Sequence, residues 1–270
     1  MADAKKILKQ NEFRFQKQYG QNFLFDTALL EEIVTAAGVT GEDTVLEIGA
    51  GAGTLTAQLA KHAKRVLSFE IDESLRPVLA KSLEEFSNTE VRFGDFMQAD
   101  LVSLEEELGP YKVVANLPYY ITTPVLLRFL EQAHRALSLT VMVQKEVADR
   151  LTAAPSCKDY GAVTVAVQYA AKVKQLKYVP REAFTPAPNV DSAVVQIEFC
   201  GEPMPPKMRK TVKAAFAMRR KTLVNNLMHS FSLSREQAEG LCAALQLPVG
   251  VRGENLTTEQ FRDLSELLPE

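Results

Sequence analysis

The chain has 270 residues, enough for one large core and a second smaller one, and its 46% apolar and 24% charged residues are those of a globular protein. Cys157, Cys200 and Cys242 are too far apart for a disulfide framework or a metal spacing, the N-terminus is charged with no apolar leader, and no apolar run is long enough to cross a bilayer. A reducing, cytoplasmic setting with no membrane and no metal is expected; the net charge of −3 argues weakly against nucleic acid, so the distribution of charge has to be read.

The first stretch, Met1 to Leu24, sets Lys5, Lys6, Lys9, Arg14 and Lys17 against Asp3 and Glu12. It reads as a basic arm, equally suited to phosphate and to plain solvation. It ends in Gln18-Tyr19-Gly20-Gln21-Asn22-Phe23-Leu24, rich in amides and aromatics for a helix lead-in. Asp26 or Thr27 can cap a helix over Ala28–Ala37. Next, Thr44-Val45-Leu46-Glu47-Ile48 runs into Gly49-Ala50-Gly51-Ala52-Gly53-Thr54, a strand, a tight turn and a helix start. Glycines there let backbone amides approach a ligand. The G-x-G-x-G spacing departs from the G-x-G-x-x-G of dinucleotide sites, so a nucleoside fits better than a pyrophosphate.

Helices near Leu55–Ala63, Glu73–Phe86, Leu104–Leu108 and Pro124–Ala136 then alternate with strands near Arg65–Phe69, Glu90–Phe93, Lys112–Ala115 and Leu139–Val143. That alternation predicts a mostly parallel sheet covered on both faces, with ligands beyond the carboxyl ends of its strands. Glu70, Asp95 and Asn116 all fall at such ends. Each alone is an ordinary cap or turn residue; in register beside the glycine turn they make a site. Asn116-Leu117-Pro118-Tyr119 carries the chemistry. The Asn116 amide and the carbonyl beside Pro118 offer two acceptors for one amine, and Tyr119 offers a stacking face. Two such acceptors hold both protons of an adenine amine and localise its lone pair.

Farther on, Tyr160–Ala170 reads as a helix, and Val173–Tyr178 and Ala193–Phe199 as strands forming an antiparallel edge around a Phe184 loop. The break Gly201-Glu202-Pro203-Met204-Pro205-Pro206 separates residues 1–200 from a helical domain, 201–270, with helices near Lys207–Met218, Thr222–Phe231, Arg235–Leu245 and Thr258–Leu267. Lys207, Arg209, Lys210, Lys213, Arg219, Arg220 and Lys221 stand there with no acid between Pro203 and Ser230, a positive face hidden by the net charge. Such a face suits phosphate contacts. His62, His134 and His229 lie outside the motifs and read as helix-surface residues.

Taken together these residues resemble the S-adenosylmethionine-dependent adenine methyltransferases and, within them, the small-subunit (16S) ribosomal RNA adenine dimethyltransferases. The resemblance spans nearly the whole chain. Besides the glycine turn, Glu70, Gly94-Asp95 and Asn116–Tyr119, it rests on Gly20–Leu24, Tyr120-Ile121-Thr122-Thr123-Pro124, Met142-Val143-Gln144-Lys145-Glu146-Val147-Ala148, Phe184-Thr185-Pro186-Ala187-Pro188-Asn189-Val190-Asp191-Ser192-Ala193 and Arg219-Arg220-Lys221-Thr222-Leu223. It implies a Rossmann-like fold with a seven-stranded sheet. It implies Asn22 and Leu24 closing over the cofactor, Gly49 and Gly51 at its amino-acid part, Glu70 at the ribose, Asp95 at the adenine amine, and Asn116 between cofactor and target. Leu117 and Pro118 complete the catalytic turn, with Tyr119 and Phe184 stacking on the target base. It implies dimethylation of two neighbouring loop adenines in the small (30S) subunit by a monomer, with a part in ribosome biogenesis. Two departures bear on the RNA contacts: Met218 stands where the pattern expects glutamine, and Val224 where it expects a base. The alternatives are the related 23S enzymes of macrolide resistance and a non-catalytic assembly factor that binds RNA.

Overall fold

The computed structural model describes residues 4–200 and 202–269. Asp3 of the basic arm, the Lys17 side chain and Gly201 of the break lie outside the described residues. The basic arm is not a plain tail. Ala4–Gln10 is a helix, α1, because Ala4, Ile7 and Leu8 recur at helical spacing and are buried. They pack with Leu75, Val78, Leu79 and Leu83, while Lys5 lies 5.1 Å from the Phe25 ring centroid.

A two-residue strand, β1 (Phe23–Leu24), leads to helix α2 (Thr27–Ala36). Asp26 caps that helix by accepting from the Ala28 and Leu29 N–H groups. The alternation then follows as β2 (Thr44–Ile48), α3 (Thr54–His62), β3 (Arg65–Glu70), α4 (Arg76–Ser82) and β4 (Thr89–Phe93). It continues with α5 (Leu101–Leu108), β5 (Tyr111–Asn116), α6 (Thr122–Gln132) and β6 (Ala136–Gln144). A short α7 (Lys145–Leu151) and α8 (Ala162–Ala170) precede β7 (Ala171–Val179), the two-residue β8 (Phe184–Thr185) and β9 (Ser192–Phe199). Glu73–Leu75 is a tight 3-10 turn ahead of α4, and α6 starts two residues before Pro124, which sits in its first turn. His134 lies after α6 rather than on it; its N–H and that of Arg135 donate to the buried Glu105 carboxylate.

Seven strands form one sheet in the order β4-β3-β2-β5-β6-β9-β7, and β1 pairs with β8 in a separate small ladder. The pairs β2 with β3, β3 with β4, β2 with β5 and β5 with β6 are parallel, and β6 with β9 is antiparallel. Sheet order reverses between β2 and β5, which is where open α/β sheets bind ligands. The strands read at Val173–Tyr178 and Ala193–Phe199 are neighbours at one end of the sheet, as β7 and β9. Of the two, β9 lies inside, between β6 and β7, with its first six residues buried. Its near-continuous apolar run suits two covered faces, whereas β7, interrupted by Lys172, Lys174 and Lys177, takes the edge.

The chain divides into two compact units, residues 1–148 with 174–199, and residues 149–173 with 200–270. The second unit therefore gathers α8 with the C-terminal helices, a wider unit than 201–270. Its helices are α9 (Pro206–Ala215), α10 (Leu223–Phe231), α11 (Arg235–Ala244) and α12 (Thr258–Leu267). Tyr160, Met208, Val212, Leu227 and Phe261 share its core, and the Tyr160 hydroxyl donates to the Leu256 carbonyl at 2.8 Å. This contact explains why the segment before α8 belongs to it.

One buried group in the first unit opposes folding. Glu47, on β2, is fully buried and meets no cation; Thr56 and Ser68 hydroxyls both donate to its Oε2 at 2.6 Å, and its Oε1 has no partner. Burial pushes its carboxyl up to about 7 against those two hydroxyls. A folded-state value above the ordinary one means the native state holds the proton longer. Stability from this group is full below pH 4.5 or so, falls as pH rises, and is lost above about 7. The difference amounts to about 3 kcal/mol. Glu47→Gln should therefore raise the midpoint of thermal unfolding at pH 8 and flatten its decline between pH 4.5 and 7. An unaltered pH profile would show that this carboxyl titrates normally.

Candidate functional site

The site starts at the glycine turn. Gly49, Gly51 and Gly53 have φ of 83°, 56° and 79°, in the left-handed region that disfavours side chains. Space is tight as well at two of them. A Cβ at Gly51 would lie 3.1 Å from the Phe23 ring, and one at Gly53 would lie 3.2 Å from Leu79. The turn is thus a backbone surface with Gly53 starting α3. Glu70, at the end of β3, fixes it. The Gly51 N–H donates to Glu70 Oε2 at 2.7 Å and the Asp72 N–H donates to Oε1 at 2.8 Å. Glu70 is 6% exposed, so burial pushes its carboxyl up while the backbone N–H groups pull it down.

Asp72 carries the next tie. It is 2% exposed and accepts from the Gln16 and Gln21 side-chain amides, at 3.1 and 2.7 Å, and from the Ser74 hydroxyl at 2.6 Å. The Gln16 N–H donates to Gln21 Oε1 at 2.7 Å. The segment Gln16–Leu24 is held across the sheet end in this way. The Asn116 amide then donates to the Asn22 carbonyl at 3.1 Å, and the Thr54 hydroxyl to the Leu24 carbonyl at 2.8 Å. Sequence reading marked Asn22 and Leu24 but passed over Gln16, Asp72 and Ser74. The excess of amides before Phe23 was the available signal.

Asn22, Leu24, Gly49, Gly51, Glu70, Asp95, Asn116, Leu117, Pro118 and Tyr119 all line one pocket of about 1040 Å³, its open mouth included. Asp95 caps the turn after β4 by accepting from the Met97 N–H at 2.9 Å and remains exposed. Leu117 is 2% exposed and anchors the turn that displays Asn116 and Tyr119. The Tyr119 and Ser192 hydroxyls share a 2.7 Å hydrogen bond, and burial pushes the Tyr119 hydroxyl up, so it stays neutral at pH 7. Tyr120 is 58% exposed on the same lining. Phe184 is placed differently. It pairs with Leu24 across the small ladder, is 4% exposed among Leu24, Leu30, Val179 and Val194, and does not line the pocket. A backbone cradle, a nearly buried carboxylate and an exposed second acid beyond it fit a nucleoside-bearing cofactor.

The basic residues fall in the second unit. Arg209, Lys210 and Lys213 are exposed on α9, and Lys207 is half-buried. Lys210 lies 5.1 Å from the Phe231 ring centroid. Arg220 and Lys221 are exposed. Arg219 donates to the Lys158 carbonyl and stands 4.0 Å from Glu254. Lys158 and Arg252 join Arg219 and Arg220 around one open hollow, which sequence spacing could not reveal. Among the described residues, no group of three or more His, Cys, Asp or Glu is placed to hold a metal, and no helix is long and apolar enough to cross a membrane.

Comparison with known proteins agrees with this geometry. The family model for ribosomal RNA adenine dimethylase matches residues 12–269. The ribosomal RNA small subunit methyltransferase A of Geobacillus thermodenitrificans is 45% identical over 98% of this chain and 94% of its own. Its counterpart from Clostridium botulinum (strain Kyoto / Type A2) is 42% identical over 98% of both. Among solved structures, a dimethyladenosine transferase from Plasmodium falciparum matches 90% of this chain and 95% of its own at a TM-score of 0.73 and 25% identity. The 23S rRNA methyltransferase ErmE matches 92% of this chain and all of its own at 0.72 and 27%. The seven-stranded sheet with its switch-point pocket is therefore a Rossmann-like methyltransferase fold, and the chain belongs to the ribosomal RNA adenine dimethylase family.

Proposed function

We propose that this chain uses S-adenosylmethionine to dimethylate the exocyclic amines of two adjacent adenines in a loop near the 3′ end of 16S rRNA, within the small ribosomal subunit. It does so as a cytoplasmic monomer during ribosome biogenesis. The observation that carries the reading is that the Asn116–Tyr119 turn and the Glu70–Asp95 acids line one pocket. The small-subunit names of its relatives support 16S rather than 23S rRNA, since the ErmE fold alone does not separate the two.

Glu70 would accept from ribose hydroxyls and Asp95 from the cofactor adenine amine, with Gly49 and Gly51 presenting backbone and Asn22 and Leu24 covering. When bound, S-adenosylmethionine supplies a methyl group on a sulfonium, a leaving group that needs no protonation. Asn116 and the Leu117 carbonyl would hold the target amine's two protons and turn its lone pair outward. Tyr119 would stack on the base, a contribution of about 1–3 kcal/mol. Alignment is the main task, and fixed geometry is worth roughly 7–11 kcal/mol. The methylated amine is acidic enough to lose its proton without a strong base. Phe184, enclosed in the core, supports Leu24 instead of stacking on the target. The second unit would supply phosphate contacts through Lys207, Arg209, Lys210, Lys213, Arg219, Arg220 and Lys221.

With labelled S-adenosylmethionine, unmethylated small subunits should yield dimethyladenosine, and large subunits and free adenosine none. Label in large-subunit RNA would contradict the 16S assignment. Asn116→Ala should lower turnover at least 100-fold while cofactor binding persists; wild-type turnover would remove the amide from the mechanism. Replacing Arg219, Arg220 and Lys221 by alanine should make the log–log salt dependence of subunit binding shallower by about two to three. An unchanged slope would place the RNA surface elsewhere.

A further inference from the structure

Two stretches of the sequence have no part in the site described so far: Gln144-Lys145-Glu146 and Asn189-Val190-Asp191. The structure brings them together. Gln144 is paired with Ser192 across β6 and β9, and the Lys145 N–H donates to the Asp191 carbonyl at 2.9 Å. With Tyr178 and Arg181 they line an open hollow in the first unit, separate from the cofactor pocket.

Its position is informative. Ser192, the residue after Asp191, shares the 2.7 Å hydrogen bond with Tyr119. Asn116 is paired with Met142, two residues before Gln144 on the neighbouring strand. Strand rise and strand spacing put Gln144 about 8 Å from Asn116 between Cα atoms, so the hollow neighbours the Asn116–Tyr119 turn.

Its chemistry suits a base more than a phosphate. Tyr178 is 47% exposed and Val190, which lines the same hollow, is 43% exposed. Lys145 and Arg181 are outnumbered by Glu146, Glu182 and Asp191, so the hollow has no excess of positive charge for a phosphate. Asp191 is committed to holding the rim. Its Oδ1 accepts from the Arg181 N–H at 3.0 Å. Gln144 and Asn189 bring mixed donors and acceptors to the lining. A purine with an exocyclic amine meets such a set with its face on the tyrosine and its edge on the amides and acids.

We infer that this hollow is the seat of the nucleotide adjoining the target adenine, with Tyr178 as its stacking platform, so that the second adenine of the pair waits there while the first is in the catalytic turn. This rests on the proposed function, and the test separates the two. Initial rates of methyl transfer would be measured on small subunits whose rRNA carries either adenine or uracil beside one target adenine, for the unaltered chain, Tyr178→Ala and Tyr178→Phe. On adenine-paired subunits Tyr178→Ala should lower kcat/KM about tenfold, and Tyr178→Phe, which keeps the ring, should restore most of it. On uracil-paired subunits the unaltered chain should already be slower, and Tyr178→Ala should add less than twofold. The Kd for S-adenosylmethionine, read by calorimetry, should not change in either variant. Equal losses on both subunits, or no loss from Tyr178→Ala on adenine-paired ones, would overturn the assignment. No transfer by the unaltered chain to adenine-paired subunits would instead overturn the proposed function on which it stands.

Discussion

The carboxylate of Glu70 is the contact on which the site depends. One oxygen holds the Gly51 N–H of the glycine turn, and the other holds the Asp72 N–H just past its own strand. A glycine turn with positive φ at three positions has little side-chain packing to define it. Two charge-assisted bonds from a nearly buried carboxylate supply that definition, each worth about 1.5–3 kcal/mol. Burial pushes the carboxyl up, and the backbone N–H groups on its oxygens pull it back down.

From Glu70 the order spreads in two directions. Through Asp72 it reaches Gln16 and Gln21, which hold the N-terminal segment over the sheet end. Through that segment it reaches Asn116, whose amide donates to the Asn22 carbonyl. Asn116 is therefore positioned by the same segment that covers the cofactor pocket. The pocket's cover and the Asn116 side chain thus share one set of hydrogen bonds. Glu47 lies under this network at a cost in stability. A destabilising group beneath a functional turn is where strain is commonly found in folded proteins.

Most of this was legible in the sequence, and the reasons are local. Strand and helix periods gave the parallel sheet, and Glu70, Asp95 and Asn116 were found because each ends a strand. Ten positions marked for the catalytic and cofactor sites line one pocket. Phe184 was misplaced because an aromatic among prolines reads as a loop, whereas pairing with Leu24 in a two-residue ladder turns it inward. The arm's helix was missed because its lysines masked three apolar positions. Gln16 and Asp72 are 56 residues apart and no spacing rule joins them. The same is true of Lys158 and Arg252 beside Arg219, and of the Tyr178 hollow, which exist through tertiary packing alone.

The most direct measurement is the affinity for S-adenosylmethionine, by calorimetry, of the unaltered chain, Glu70→Gln and Tyr119→Ala, each with its fold checked by circular dichroism. Glutamine has one acceptor oxygen where two N–H groups need partners, so Glu70→Gln should weaken binding by at least 100-fold. Tyr119→Ala should leave cofactor affinity within about threefold, since its hydroxyl is tied to Ser192 and not to the glycine turn. Unchanged affinity in a folded Glu70→Gln variant would contradict the claim that this carboxylate organises the cofactor site.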